Sequence, residues 1–324
     1  IIHEKFIIQE FNNMAAITAK MVNELRSKTG AGMMDCKKAL VETEGNFDEA
    51  IKVLREKGLG KADKKAGRIA AEGVVDILVD GRTAAMIEVN AETDFVAKNE
   101  TFKTFVKNIL KVIVANKPAS VEELKALRYD ADFETVEAKL KDMIFTIGEN
   151  MNIRRFVIVD GITSTYIHGG GVAGVIVKFS TDDATAAKPE FAEFAKNICL
   201  QIAAGTPPTY VSKEDVPESV LAEEREILVA QLKNDEKNAN KPEAILHKIV
   251  DGRIGSFYER ACLNEQVYVK DDSLTIGKYV AQVSKELGAD IKIDSFVLYE
   301  KGEGLEKRED DFADEIARLT GKAQ

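Results

Sequence analysis

Apolar residues recur three and four apart through residues 17–58, and each run is closed by glycine. Met21, Val22 and Leu25 share one helical face behind Thr18, whose hydroxyl can cap the first turn. Gly30-Ala31-Gly32 breaks that helix. A second, from Met33 to Glu44, turns Ala39 and Leu40 inward and is closed by Gly45. A third, capped by Asn46, carries Phe47, Ala50, Ile51 and Leu54 and is stopped by Gly58. A bundle of about 40 residues lies near the lower limit for independent folding. The charged, apolar-poor stretch Lys61–Arg68 then reads as a linker, and the bundle as a small module tethered to a larger body.

Past the linker the hydrophobic period changes to two. Strands are expected over 73–79 and 84–91, joined at Asp80-Gly81, a favoured hairpin turn. A helix over 100–115 ends before Pro118, and helices at 120–127 and 133–148 precede a strand at Arg154–Val159. Further strands at 164–168 and 173–179 flank a glycine turn at 169–171, and a helix follows at 189–204. Pro217–Lys233 and Pro242–Cys262 are long helical patterns around the polar stretch Asn234–Asn240, hence an antiparallel hairpin; its narrow apolar stripe suits a projecting coiled pair. A strand (Val267–Lys270), a helix (275–287), a strand (Ile291–Tyr299) and a last helix (Asp311–Leu319) complete the pattern.

The body contains an internal repeat. A shift of 89 residues lays Gly81–Pro118 on Gly170–Pro207 without a gap, with identities at Phe102/Phe191, Phe105/Phe194, Lys107/Lys196, Asn108/Asn197, Ile109/Ile198 and Pro118/Pro207. Each copy is a strand–turn–strand–helix unit. The expected fold is therefore α+β: an N-terminal three-helix module, a core of two duplicated antiparallel sheet-plus-helix subdomains, a projecting helical hairpin and a C-terminal helix. The corresponding divisions are an upstream extension (1–13), the module (14–59), a linker (60–72), core subdomain 1 (73–153), core subdomain 2 (154–216 and 263–300), the hairpin (217–262) and a C-terminal module (301–324).

At the strand-to-helix connection the copies differ in a telling way. Asp94 matches Asp183, but Phe95 faces Ala184. A phenylalanine in a strand-to-helix connection must either fold back into the core or protrude as a wedge. The scaffold does without it in the second copy, which makes Phe95 a candidate site residue. Met33 and Met34 are a second candidate pair. Adjacent helical positions differ in direction by about 100°, so at least one faces solvent, where flexible methionines suit a partner's apolar patch.

The net charge of −10 opposes a generic nucleic-acid binder, although residues 14–68 hold 12 Lys and Arg against 8 Asp and Glu. No stretch approaches the ~20 apolar residues of a membrane span. Cys36, Cys199 and Cys262 lie far apart without a CxxC pair and read as reduced thiols in a cytosolic protein. Residues 1–13 lack the marks of a signal or transit peptide and read as an extension upstream of Met14 with no role in the fold. Gly58–Ala62 lacks the spacing of a phosphate-binding loop. His168-Gly169-Gly170-Gly171 has no nucleophile elbow to serve and is explained as a hairpin turn. His3, His168 and His247 are scattered, so no metal site is expected. A binding protein, without catalytic residues or cofactor, is what remains.

Leu25-Arg26-Ser27-Lys28-Thr29-Gly30-Ala31-Gly32-Met33-Met34-Asp35-Cys36-Lys37-Lys38-Ala39-Leu40 resembles the N-terminal signature of the bacterial translation elongation factor Ts family. Glu88-Val89-Asn90-Ala91-Glu92-Thr93-Asp94-Phe95-Val96-Ala97 resembles its second signature, and Gly148–Arg155 and Gly302–Lys307 fit it too, in one order from Met14 to the C-terminus. The resemblance implies a cytoplasmic guanine-nucleotide exchange factor that binds elongation factor Tu, GDP-bound and nucleotide-free, with no membrane or direct nucleic-acid contact. It leaves a homodimer or a 2:2 complex open. It implies that Arg26, Met33 and Met34 grip the partner's G domain. It also implies that Thr93, Asp94, Phe95 and Val96 reach towards the partner's Mg²⁺-binding region, with Phe95 as the inserted wedge. Two other classes stand beside this one. One is a protein-binding adaptor whose three-helix module resembles ubiquitin-associated domains. The other is an RNA-binding translation factor, which the acidic balance opposes.

Overall fold

The computed structural model describes residues 17–235 and 241–306; the extension at 1–13 and the helix expected over Asp311–Leu319 lie outside the described residues. The described chain divides into two compact units, one of residues 17–74, 87–156 and 301–306, the other of residues 75–86 and 157–300.

In the first unit α1 (Ala19–Thr29), α2 (Met33–Glu42) and α3 (Phe47–Lys65) form the three-helix module. Thr18 caps α1 by accepting from the Met21 N–H at 3.2 Å, and Gly30 ends it in the left-handed region. Val22, Leu25, Cys36, Ala39, Leu40, Ala50 and Leu54 make its core. Helix α3 does not stop at Gly58 but runs on to Lys65, through part of the stretch read as a linker. The glycine is there for space: a Cβ at Gly58 would lie 3.2 Å from the Phe145 ring, which packs against the module's core. Phe145 belongs to α7 (Val136–Ile147), and Lys65 Nζ donates to the carbonyl of Gly148 at its end. The module is thus packed on α7 rather than hung from a tether.

Strands β1 (Glu72–Asp80), β2 (Thr83–Ala91) and β3 (Met151–Asp160) form one sheet in that order. Between β2 and α7 run the short α4 (Asp94–Lys98), α5 (Glu100–Asn116) and α6 (Val121–Ala126). Helix α5 is amphipathic and buries Phe102, Phe105, Val106, Ile109, Leu110 and Ile113.

In the second unit β4 (Ile162–His168), β5 (Ala173–Ser180) and β8 (Lys292–Glu300) form an antiparallel sheet with β5 central, Ile162 opposite Phe179 and Ala173 opposite Glu300. Gly169–Gly171 turn the chain between β4 and β5, all at positive φ. The sheet packs on α9 (Pro189–Ala204) and α12 (Ile276–Leu287), burying Val175, Val177, Phe191, Phe194, Ile198 and Ile276. The short α8 (Asp183–Ala186) leads into α9. Helices α10 (Glu218–Asn234) and α11 (Glu243–Ala261) pair through Val229, Leu232, Leu246 and Val250. The strand expected at Val267–Lys270 is only β6 (Val267–Tyr268), which pairs with an unforeseen β7 (Asp271–Thr275). Val269 and Lys270 form the turn between the two strands, and the Lys270 ammonium donates to Asn197 at 2.7 Å.

The aligned copies fold alike, β2–α4–α5 corresponding to β5–α8–α9. Asn108 donates to the Tyr129 hydroxyl at 3.2 Å with the Phe105 ring 5.9 Å from that tyrosine. Asn197 donates to the Tyr279 hydroxyl at 3.1 Å with the Phe194 ring 5.3 Å away. The two tyrosines come from outside the aligned segment, so each copy recruits its own. The protein is an α+β protein of helices and small sheets.

Candidate partner-binding site

Strand β2 is buried from Ala84 to Ala91. Past Ala91 the strand ends and the chain bends into α4. Thr93, in an extended conformation, caps that helix: its hydroxyl oxygen accepts from the Val96 N–H at 3.4 Å. One turn of helix has only one inward side. Val96 takes it, whereas Phe95 points outward and is 80% exposed. Burying a phenylalanine is worth about 1.5–3 kcal/mol, and Phe95 forgoes that gain. Beside it Asp94 and Lys98, one helical turn apart, pair at 2.6 Å on the surface. The Lys98 ammonium holds the Asp94 carboxyl below the usual carboxylate range, and Asp94 in return raises Lys98. An unburied ring flanked by an ion pair is therefore what α4 presents.

The turn is fastened from behind. Glu149 follows Gly148, which caps α7 at φ +91°. Its carboxylate accepts from the Thr93 N–H at 3.0 Å and from the Thr93 hydroxyl at 2.8 Å. Glu92 returns the arrangement, accepting from the Asn150 N–H at 2.5 Å and from Arg68 at 3.4 Å. Deeper in the same strand, fully buried Glu88 accepts from Arg154 (2.9 Å), Arg155 (2.6 Å), the Gly302 N–H (2.8 Å) and Asn90 (3.1 Å). Burial pushes this carboxyl up, but the four donors outweigh it and leave the group below its ordinary range. Arg155 also reaches Glu303 at 2.9 Å, so residues 301–303 are held to the end of β2.

In the three-helix module Arg26 is exposed in the last turn of α1. Gly32 starts α2 without a side-chain cap, and both methionines behind it face solvent, Met33 at 49% and Met34 at 63% exposure. Val41, at the other end of α2, is exposed as well and was not anticipated. The structure thus gathers Thr93, Asp94, Phe95 and Val96 on one turn, and Arg26, Met33 and Met34 on α1 and α2. Glu88, Glu92 and Glu149 escaped the reading of candidates. A signal for Glu88 existed: with Asn90 it puts polar residues at alternate positions of an otherwise apolar strand.

Among the described residues no three His, Cys, Asp or Glu side chains gather as a metal site, and no helix is long and apolar enough to cross a membrane. Cys36, Cys199 and Cys262 are buried free thiols, and burial pushes Cys199 and Cys262 up to about 11.

Residues 92–303, which include the Phe95 turn, Glu149 and Gly302, match the family described as Elongation factor TS. The chain is similar to Elongation factor Ts of Clostridium kluyveri, 48% identical over 313 residues that cover 94% of this chain and 100% of that protein. It is 46% identical over 311 residues to Elongation factor Ts of Clostridium botulinum, with the same coverage. Against Elongation factor Ts of Syntrophotalea carbinolica it is 46% identical over 307 residues, 94% of this chain and 99% of that one. Identity of this level along almost the whole of each chain leaves one assignment: the protein belongs to the elongation factor Ts family of translation elongation factors.

Proposed function

We propose that the chain is a guanine-nucleotide exchange factor that binds elongation factor Tu and promotes GDP release by disturbing its Mg²⁺ and phosphate site, so that GTP can reload. The observation that carries this reading is Phe95, a ring left 80% exposed on a pinned turn and replaced by Ala184 in the other copy of the scaffold. GTPases hold GDP through a phosphate loop and a Mg²⁺ that neutralises phosphate charge. A ring inserted beside that ion moves backbone amides and metal ligands out of register, and nucleotide affinity falls. Val96 roots the wedge, Thr93 caps it, and Asp94 lines its flank. Arg26, Met33 and Met34 supply the grip on the partner's G domain, with the methionines adapting to an apolar patch.

Linkage makes the effect reciprocal: whatever factor the chain takes from GDP affinity, GDP takes from the chain's affinity. Exchange therefore runs through a nucleotide-free complex that incoming GTP dissolves. On this reading the protein makes and breaks no covalent bond, so it is not an enzyme, and it needs no cofactor. It acts in the cytoplasm, without membrane or direct nucleic-acid contact, as a homodimer or in a 2:2 complex.

Release of a fluorescent GDP analogue from factor Tu, followed with and without the chain, tests the proposal. Accelerated release is expected, and an unchanged rate removes the reading. The exposed Met33, Met34 and Val41 favour a second reading, a protein-binding adaptor acting through the three-helix module. It is distinguished by capture of a partner that depends on Met33 and Met34 while factor Tu releases GDP at its unassisted rate.

A further inference from the structure

We infer that Glu149 is a positioning residue for the Phe95 wedge, acting through a two-way hydrogen bond of the Thr93 hydroxyl; the inference rests on the exchange reading of this turn. Helix α4 has five residues, too few to hold their own shape in water. Something outside it must fix the direction of an exposed ring.

The second copy holds the equivalent turn by other contacts. There Asp182 caps α8, accepting from the Thr185 N–H at 2.9 Å and from the Thr185 hydroxyl at 2.8 Å, and Arg82 binds the adjacent Asp183 from outside the helix. An aspartate can only accept. Thr93 stands at the equivalent place, and its hydroxyl does two things: its oxygen accepts from the Val96 N–H, and its proton goes to Glu149. Glu149 also accepts from the Thr93 N–H. One carboxylate, set by the end of α7, thereby fixes both the backbone and the side chain of the residue that starts the wedge. The carboxylate of Glu92 binds the opposite way to the Asn150 N–H, so the two segments cannot slide past one another without breaking both attachments. A rigid Phe95 transfers its push to the partner; a loose one yields.

The test uses the full chain and factor Tu loaded with a fluorescent GDP analogue. Glu149→Ala is expected to lower the maximal release rate about tenfold while the half-saturating concentration moves less than about twofold, since the module's grip is untouched. Amide hydrogen exchange across residues 94–98 should quicken in the free protein. Thr93→Asp, which copies the cap of the second repeat, should lose rate similarly because its carboxylate meets that of Glu149. Adding Glu149→Gln to it should restore the rate to within about threefold of wild type. That rescue is something a merely structural role of Glu149 does not produce.

Phe95→Ala run alongside separates the two levels. A slow Phe95→Ala with a wild-type Glu149→Ala overturns the positioning role and leaves the exchange reading standing. Wild-type rates for both overturn the positioning role and the wedge role of Phe95 together. Should Glu149→Ala fail to fold, Thr93→Asp and its partner substitution decide the matter, and absence of rescue overturns the inference.

Discussion

The two copies of the repeat solve the same packing problem with the same residues and then diverge at one turn. Phe102 and Phe105 in the first, Phe191 and Phe194 in the second, are almost wholly buried. Asn108 and Asn197 each donate to a tyrosine hydroxyl that the copy recruits from elsewhere. Val96 and Thr185, at matching places in the short helix, both turn inward. The residue before them is exposed in both copies, and there one copy has phenylalanine and the other alanine. Packing therefore accounts for the framework the copies share and is silent about this one position. The large apolar side chain at a position that packing leaves empty is the one the proposed exchange role uses.

The comparison breaks first if the frameworks are not equivalent. Phe105→Ala and Phe194→Ala should each cost about 3–5 kcal/mol in denaturant unfolding, and a copy that loses less than about 1 kcal/mol is not built on its phenylalanines. A second difference lies at Glu88, whose counterpart in the second copy is the buried Val177. The Glu88 carboxyl titrates below its unfolded value, so its contribution is complete above the ordinary glutamate pKa of about 4.3. It is lost as pH falls through the lower folded value. Acid unfolding should therefore begin at the first copy. Glu88→Gln should remove about 2 kcal/mol at neutral pH and flatten the acid loss, as thermal melts between about pH 7 and pH 3 would record.

Smaller effects sharpen the distinction between grip and wedge. Met33→Ala with Met34→Ala should weaken factor Tu binding about tenfold, near 1.4 kcal/mol by titration calorimetry, with the melting temperature unmoved. A wild-type affinity takes both methionines out of the interface. Ala184→Phe is expected to change stability by less than about 0.5 kcal/mol, because the site is already exposed. It should add nothing to exchange, and a gain would show that any exposed ring on this scaffold suffices.

Most of the fold was legible because helices α5, α9, α10 and α11 carry apolar residues at helical spacing over many turns, and the paired strands carry turn residues between them. Phe95 was legible from the repeat, which supplied an internal standard for what the scaffold needs. What escaped has one physical character: it depends on partners far along the chain. Glu149 meets Thr93 across 56 positions and Glu88 meets Gly302 across 214, and nothing in local periodicity marks one carboxylate of an acidic chain as such a partner. The end of α3 is hidden from the sequence for the same reason. Gly58 reads as a stop, but it is small because Phe145 of a distant helix lies against it.

The central claim is that Phe95 displaces something in a partner and supports nothing in its own fold. Stopped-flow release of a fluorescent GDP analogue from factor Tu by the Phe95→Ala protein, with its denaturant stability measured on the same sample, addresses both halves together. The account predicts release slowed tenfold or more, by about 1.4 kcal/mol or above, and a stability within about 0.5 kcal/mol of wild type. An unchanged release rate at equal concentration, or a stability loss as large as that of Phe105→Ala, would contradict it.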